Sequence, residues 1–360
     1  MKLQRWIVAS LALVLIFALA ACAAMPAAAP APAAEEAAAT EAAAPEAAAF
    51  DPDNEADSLN YDQLTAEFGE VPTPSKTYKI GAVMKFLGNQ YWQLLAEGMQ
   101  SKADEYGIEI DVQAAQTEAD QLGQLAIMET MIEKGYDALL VSPQTDTNLI
   151  AAVEKAREAG ILVLNVNDAV LPDAVQWTGP KQYENGVRAA QYLIANFPDG
   201  GKVAVIEGQA GVYAAVQRTK GFKDTLEGAN FEVVASVPGD WDLQKSLDAA
   251  TTIIQQHPDI KAFYNNNDTM ALGVVEAVKN AGKLGEIMVI GTDGIGAAYD
   301  SIKAGEMTGT VDSFPYLTGQ TAVEVALRLL EGQDLPRAVY SPQNLITAEN
   351  VDNPMPAPAE

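Results

Sequence analysis

From Lys76 onward, short apolar runs rich in β-branched residues alternate with stretches in which apolar residues recur every three or four positions. The first pattern predicts buried strands and the second amphipathic helices. Strands are expected at 78–84, 108–113, 137–142, 161–166, 202–207, 231–237, 261–264, 287–292 and Gly309–Asp312, with a short isolated one at 175–178. Helical faces lie between them: Leu95, Met99 and Ala103 share one, and Leu125, Met128 and Ile132 another. Near-continuous apolar strands separated by helices imply an α/β fold with parallel sheets covered on both faces. Nine or ten strands exceed what one core usually holds, so two doubly wound parallel-sheet lobes are expected. The chain is predicted to cross between them near 177–182 and again near Phe314 and Pro315, giving a multi-strand hinge and a cleft that can close. The resulting division is 76–180 with 315–339 for the N-terminal lobe, 181–314 with 340–352 for the C-terminal lobe, and a disordered tail at 353–360.

The pattern upstream is different. Lys2 and Arg5 precede an uncharged apolar stretch, 6–21, that is short for a membrane span and reads as a signal peptide over 1–21. It ends in Leu19, Ala20, Ala21 and Cys22, which resembles the lipobox of bacterial lipoproteins, so Cys22 is the expected lipidation site. Cys22 is the chain's one cysteine, which rules out an internal disulfide. Residues 22–75 are rich in Ala, Pro and acidic residues and predict a disordered tether behind the lipidated cysteine. Asp51, Asp53, Glu55 and Asp57 alternate there as in a calcium loop, but Ala56 stands where such a loop needs Gly and Asp62 where it uses Glu. No metal site is expected. The formal net charge of −27 opposes binding to phosphate backbones and so excludes nucleic acid as a partner.

In open α/β sheets the site lies at the carboxyl ends of the strands, so the residues just after each strand carry the information. Lys85, Asn89, Tyr91 and Trp92 follow the first, and Asn167 and Asp168 the fourth. Trp241 follows the strand ending at Val237, Asn267 follows 261–264, and Asp293 follows 287–292. Aromatic rings cover the C–H faces of a sugar, while amides, carboxylates and a guanidinium such as that of Arg218 match its hydroxyl rim. Asp268, directly before a helical run, is read as a helix N-cap and not as a ligand group.

Five segments carry a family resemblance: Lys85-Phe86-Leu87-Gly88-Asn89-Gln90-Tyr91-Trp92, Ile206-Glu207-Gly208-Gln209-Ala210-Gly211, Arg218 with Gly221-Phe222, Gly239-Asp240-Trp241-Asp242, and Asn267-Asp268-Thr269-Met270-Ala271-Leu272-Gly273 followed by Gly291-Thr292-Asp293-Gly294. From 78 to about 350 the chain resembles the periplasmic ribose- and allose-binding family of ABC-importer solute receptors. The resemblance implies the type I periplasmic-binding-protein fold. It also implies sugar contact at Asn89, Tyr91, Trp92, Arg218, Trp241, Asn267 and Asp293. Lys85 matches a lysine of the allose receptor that the ribose receptor lacks. The chain departs from the family at Asn167 and Asp168, at Gln90 in place of a proline, and at Ser313 where a glutamine is usual. Lys85 and Asp168 lean the expectation toward a hexopyranose. The implied partners are a monosaccharide and an ABC permease. The implied state is a monomer, anchored at the extracytoplasmic face of the cell membrane, without a cofactor.

Enzyme chemistry finds little support. The one histidine, His257, stands before a proline at a helix end, which excludes a histidine-based triad and a multi-histidine zinc site. Gly291-Thr292-Asp293-Gly294-Ile295-Gly296 has the wrong spacing for a dinucleotide loop. A receptor for a furanosyl signal molecule or a chemotaxis ligand fits the same fold. A sugar-sensing gene regulator would need a DNA-binding segment where the acidic tether stands.

Overall fold

The computed structural model describes residues 50–357 and 359. The strands are β1 (Ser58–Asn60), β2 (Lys79–Phe86), β3 (Glu109–Ala115), β4 (Ala138–Val141), β5 (Leu162–Val166), β6 (Gln176–Gly179), β7 (Gly201–Glu207), β8 (Phe231–Pro238), β9 (Ala262–Asn265), β10 (Met288–Asp293), β11 (Gly309–Asp312), β12 (Ala338–Tyr340) and β13 (Asn344–Thr347). The helices are α1 (Leu64–Phe68), α2 (Gln90–Tyr106), α3 (Gln121–Lys134), α4 (Ile150–Glu158), α5 (Gln182–Asn196), α6 (Tyr213–Leu226), α7 (Leu243–Gln256), α8 (Asp268–Asn280), α9 (Gly296–Lys303) and α10 (Pro315–Leu330).

These elements form the two expected lobes. The first sheet has the order β1-β12-β6-β5-β4-β2-β3 and is parallel throughout. The second has the order β13-β11-β10-β9-β7-β8, parallel except where β13 runs against β11. Every residue of β4, β6, β9 and β11 is buried, as strands covered by helices on both faces must be. Strand order reverses around β2 in one lobe and around β7 in the other, so a crevice opens beyond their carboxyl ends. The chain passes between the sheets after β6, after β11 and after β12. The lobes touch directly across the cleft: Ala214 N donates to Asp168 O at 3.1 Å, and Ala297 N to Gln90 Oε1 at 3.3 Å.

Close helix packing fixes one feature of the site. A Cβ on Gly221 of α6 would lie 2.0 Å from the carbonyl oxygen of Tyr183 in α5, and one on Gly186 2.1 Å from that of Arg218. Only glycine lets these two helices approach so closely, and the approach brings Arg218 beside Gln182.

The structure differs from the sequence reading at three places. Residues 50–75, expected as part of a disordered tether, are built into the fold. Strand β1 pairs in parallel with β12, Leu64 is buried, and Arg328 donates to the carbonyl of Gly69 at 3.0 Å. Composition concealed this, because a three-residue edge strand needs a partner and few large apolar residues. The expected disordered tail at 353–360 also makes contacts: Ala357 O accepts from Gln343 N at 2.9 Å, and Met355 O from Asn344 Nδ2 at 2.8 Å. The last return to the second lobe comes after Tyr340, which belongs to β12 in the first sheet. Cys22 and the signal segment lie outside the described residues.

Candidate functional site

Each lobe aims its polar groups through local backbone chemistry. Asn89 is the N-cap of α2, its Oδ1 accepting from Tyr91 N at 2.9 Å, and Asn267 is the N-cap of α8, accepting from Met270 N at 2.9 Å. Each oxygen is thus committed to a helix, while the side-chain NH2 groups remain as donors. The cap expected at Asp268 is therefore one residue earlier. Asp268 is the first residue of α8, fully buried, and its Oδ2 accepts from Gly294 N at 2.8 Å and Ile295 N at 3.0 Å, tying down the turn after β10.

Backbone strain concentrates in the same region. Seven described non-glycine residues have positive φ. They include the consecutive pairs Asn167 (54°) and Asp168 (69°) after β5 and Asp240 (52°) and Trp241 (63°) after β8, with Phe314 (44°) at the β11–α10 crossing. Asn and Asp tolerate left-handed conformations, whereas Trp241 and Phe314 adopt them at a cost, as residues do where a fold must present a side chain in one direction. Room for Trp241 is made by Gly208, where a Cβ would fall 2.0 Å from the indole ring.

A cavity lies between the lobes. Its lining is Lys85, Asn89, Tyr91, Trp92, Asn167, Asp168, Arg218, Trp241, Asn267 and Asp293, together with Glu118. Its volume is about 20 Å³. Its two halves are thus drawn tightly together. A ring-sized molecule needs the lobes to part before it can enter.

Electrostatics at the site are paired and buried. The Lys85 ammonium, 1 % exposed, forms an ion pair with Asp168 and sits 3.6 Å from Glu118. Burial alone would lower the lysine's pKa, but the two carboxylates together hold it above its ordinary value. Burial pushes Glu118 up and the negative charge of neighbouring Asp168 adds to this, against the pull of the Lys85 ammonium and the bonds from Trp92 and Asn89. In the other lobe Arg218 Nη1 lies 3.5 Å from Asp293. Its Nε donates to Gln182 Oε1 at 2.8 Å, and its Nη1 also donates to the carbonyl of Asn266. Desolvation raises Asp293 well above the usual carboxylate range despite the guanidinium. Tyr91 is raised as well, by burial first and then by Asp293, so its hydroxyl stays neutral, and its oxygen accepts from Asn167 Nδ2 at 2.6 Å.

Ten of the eleven side chains singled out from sequence therefore meet at one cavity. Ser313 does not. It is fully buried at the β11–α10 crossing, its hydroxyl has no hydrogen-bond partner, and its N–H donates to Asp293 O at 3.3 Å. The amide between the lobes comes instead from Gln182, whose Nε2 donates to Asn167 Oδ1 while its Oε1 accepts from Arg218. Glu118 was also missed. It follows β3, so the rule applied to the other strand ends would have found it. It accepts from Trp92 Nε1 at 3.0 Å and from Asn89 Nδ2 at 3.4 Å, holding both in place. No group of His, Cys, Asp and Glu among the described residues is arranged to hold a metal ion, and none of the described helices is long and apolar enough to cross a membrane.

Residues 80–334 match the periplasmic binding protein domain family. The chain is 33 % identical to the D-ribose/D-allose-binding protein of Pseudomonas aeruginosa over 289 residues, spanning 77 % of this chain and 90 % of that one. It is 36 % identical to the D-allose-binding periplasmic protein of Escherichia coli, over 68 % of this chain and 81 % of the relative. Among solved structures, an ABC transporter periplasmic solute binding protein from Actinobacillus succinogenes with bound D-allose superposes with a TM-score of 0.74 at 30 % identity, covering 78 % of this chain and all of that one.

Proposed function

Because the chain belongs to the family of periplasmic binding proteins, we propose that it captures a monosaccharide between its lobes and delivers it to the permease of an ABC importer. The observation that carries this reading is the composition of the interlobe cavity: Tyr91, Trp92 and Trp241 supply apolar faces, and amides, carboxylates, Lys85 and Arg218 surround them. Rings bury the C–H faces of a pyranose, and fixed donors and acceptors discriminate the positions of its hydroxyls. The ten residues expected from sequence are the proposed contacts, with Glu118 and Gln182 orienting them.

A hexopyranose of the allose kind is the favoured ligand. Lys85 and Asp168 add a charged pair to the cavity lining, where an extra hydroxyl of a hexose can exchange for their mutual bond. Closure on the sugar gives the permease a loaded shape to recognise, since a ligand shifts the lobes only through its preference for one state. Lipidation at Cys22 holds the protein at the extracytoplasmic face of the membrane, because two or more acyl chains suffice for stable anchoring. Native mass spectrometry of the purified chain tests the substrate. Release of one hexose or pentose on unfolding supports the reading; a retained molecule that is not a polyol contradicts it. Radiolabelled palmitate tests the anchor and should label the wild type but not Cys22→Ala.

A further inference from the structure

The segment from Phe50 to Phe68 touches both lobes. On the first, β1 adds to the edge of β12, and Tyr340 Oη donates to Pro52 O at 2.7 Å. On the second, the carboxylate of Asp53 accepts from Gln182 N at 2.6 Å and Tyr183 N at 2.9 Å. These are the first two residues of α5, and its own N-cap residue, Lys181, makes no side-chain capping bond. The helix is therefore capped by a residue 129 positions away in sequence. Asp53 is itself held, its N–H donating to Tyr213 Oη at 3.1 Å while that hydroxyl donates to Asp51. Its side chain is nearly buried, so this is not a surface contact made in passing.

Gln182 gives this cap a functional consequence. Its backbone N–H is fixed by Asp53, and its side chain bridges Asn167 of the first lobe and Arg218 of the second. Asn185 Nδ2 also donates to it at 3.2 Å, and Asn185 is bonded in turn to Gln343 beside the β12–β13 crossing. A helix start left uncapped frays within its first turn. Fraying here would free the amide that joins the two halves of the cavity.

We propose that Asp53 is a positioning residue for the cleft: by capping α5 from outside its lobe it holds Gln182 across Asn167 and Arg218, so that the segment 50–68 acts as a hinge strap favouring the closed lobes. The affinity consequence rests on the sugar-binding reading; the structural consequence does not. An apparent affinity falls with the fraction of molecules in the competent state, so loosening the strap weakens binding without removing a ligand contact.

The test is a double-mutant cycle in the full chain, with Asp53→Ala, Gln182→Ala and the pair, and Asp53→Asn as the conservative variant that keeps one acceptor oxygen. Hydrogen exchange without ligand is read at 165–170, 182–185 and 213–219, and D-allose affinity by calorimetry. Asp53→Ala should speed exchange in all three segments and weaken D-allose at least fivefold. Asp53→Asn should recover only part of both effects, since its NH2 must face one of the two N–H groups that the carboxylate oxygens accept from, and the double variant should be no worse than Gln182→Ala alone, because coupled residues are not additive. Faster exchange confined to 182–185 with unchanged affinity would reduce Asp53 to a local cap and overturn the proposal, as would losses that multiply in the double variant. If the wild type binds no D-allose, the exchange arm still decides: unchanged rates at 165–170 and 213–219 in Asp53→Ala reject the strap, whatever the ligand.

Discussion

The ammonium of Lys85, at the end of the first lobe's β2, lies 5.5 Å from the centre of the Trp241 ring, which belongs to the second lobe. The same nitrogen lies 5.6 Å from the ring of Trp92 in its own lobe. A buried cation between two indoles, paired with Asp168 and close to Glu118, is held by these attractions against its desolvation and the repulsion of the Arg218 guanidinium. It marks where the two lobes contribute to one environment, and it makes the lysine sensitive in two separate ways.

Lys85→Met should weaken sugar binding and also destabilise the fold, because buried Asp168 and half-buried Glu118 lose their cation. Breaking a buried pair from one side costs about 3–5 kcal/mol. Adding Asp168→Asn and Glu118→Gln to the same chain should recover a large part of the stability but not the affinity. Urea unfolding and calorimetry separate the two. Equal stability in Lys85→Met and the wild type would show that the pair is not held as described.

Gly208→Ala should act on the site while sparing the lobes. The added methyl meets the Trp241 ring at 2.0 Å and must displace it. Sugar affinity is expected to fall at least about tenfold, a loss of ~1.4 kcal/mol, with unchanged far-ultraviolet circular dichroism and shifted tryptophan fluorescence. An unshifted spectrum would mean that the indole has room the close contact denies it.

Glu118→Gln and Glu118→Ala should part company. The glutamine keeps an oxygen for Trp92 Nε1 and Asn89 Nδ2, so affinity should drop only a few-fold. Alanine removes both contacts and leaves a buried indole N–H unsatisfied, a penalty of about 1–3 kcal/mol. Calorimetry with the preferred sugar reads the difference, and indistinguishable variants would assign Glu118 a purely electrostatic part.

Asp312 and Asp53, together with Asp268, which burial likewise pushes up to about 7, set a pH dependence of stability from outside the cavity. Burial pushes Asp312 up to about 7, against bonds from the Tyr299 hydroxyl and Phe314 N–H, both at 2.6 Å. It pushes Asp53 up to about 6. Between the unfolded and folded values each holds a proton when folded that it releases on unfolding. The stabilisation is therefore full below the unfolded value of about 3.9 and is lost as pH rises through 6 to 7. The melting temperature should fall between pH 5 and 7.5, and Asp312→Asn should flatten the upper part of that fall. A wild-type melting temperature that rises across this window would contradict the assignment.

Sequence periodicity located the long central strands and helices because their burial leaves an unbroken apolar run, as in β4 and β9. It missed β1, β12 and β13, which are three or four residues long and exist through their partners. The site was legible at strand ends because Lys85, Trp241 and Asp293 are chemically distinctive there. Gln182 was not, since it opens a helix after a chain crossing and its importance comes from what Asn167 of one lobe and Arg218 of the other bring to it. Asp51 and Asp53 invited comparison with a calcium loop. Their alternation serves instead to hold Tyr213 and the start of α5.

Calorimetric titration of the wild type and Trp241→Ala with D-allose, D-ribose, D-galactose, D-glucose, D-xylose and myo-inositol tests sugar capture between the lobes most directly. The expected result is one-to-one binding of at least one of these, strongest for a hexose, weakened at least about thirtyfold in Trp241→Ala, as for a central aromatic anchor worth ~2 kcal/mol. No binding of any of the six, or an affinity that Trp241→Ala leaves unchanged, would contradict it.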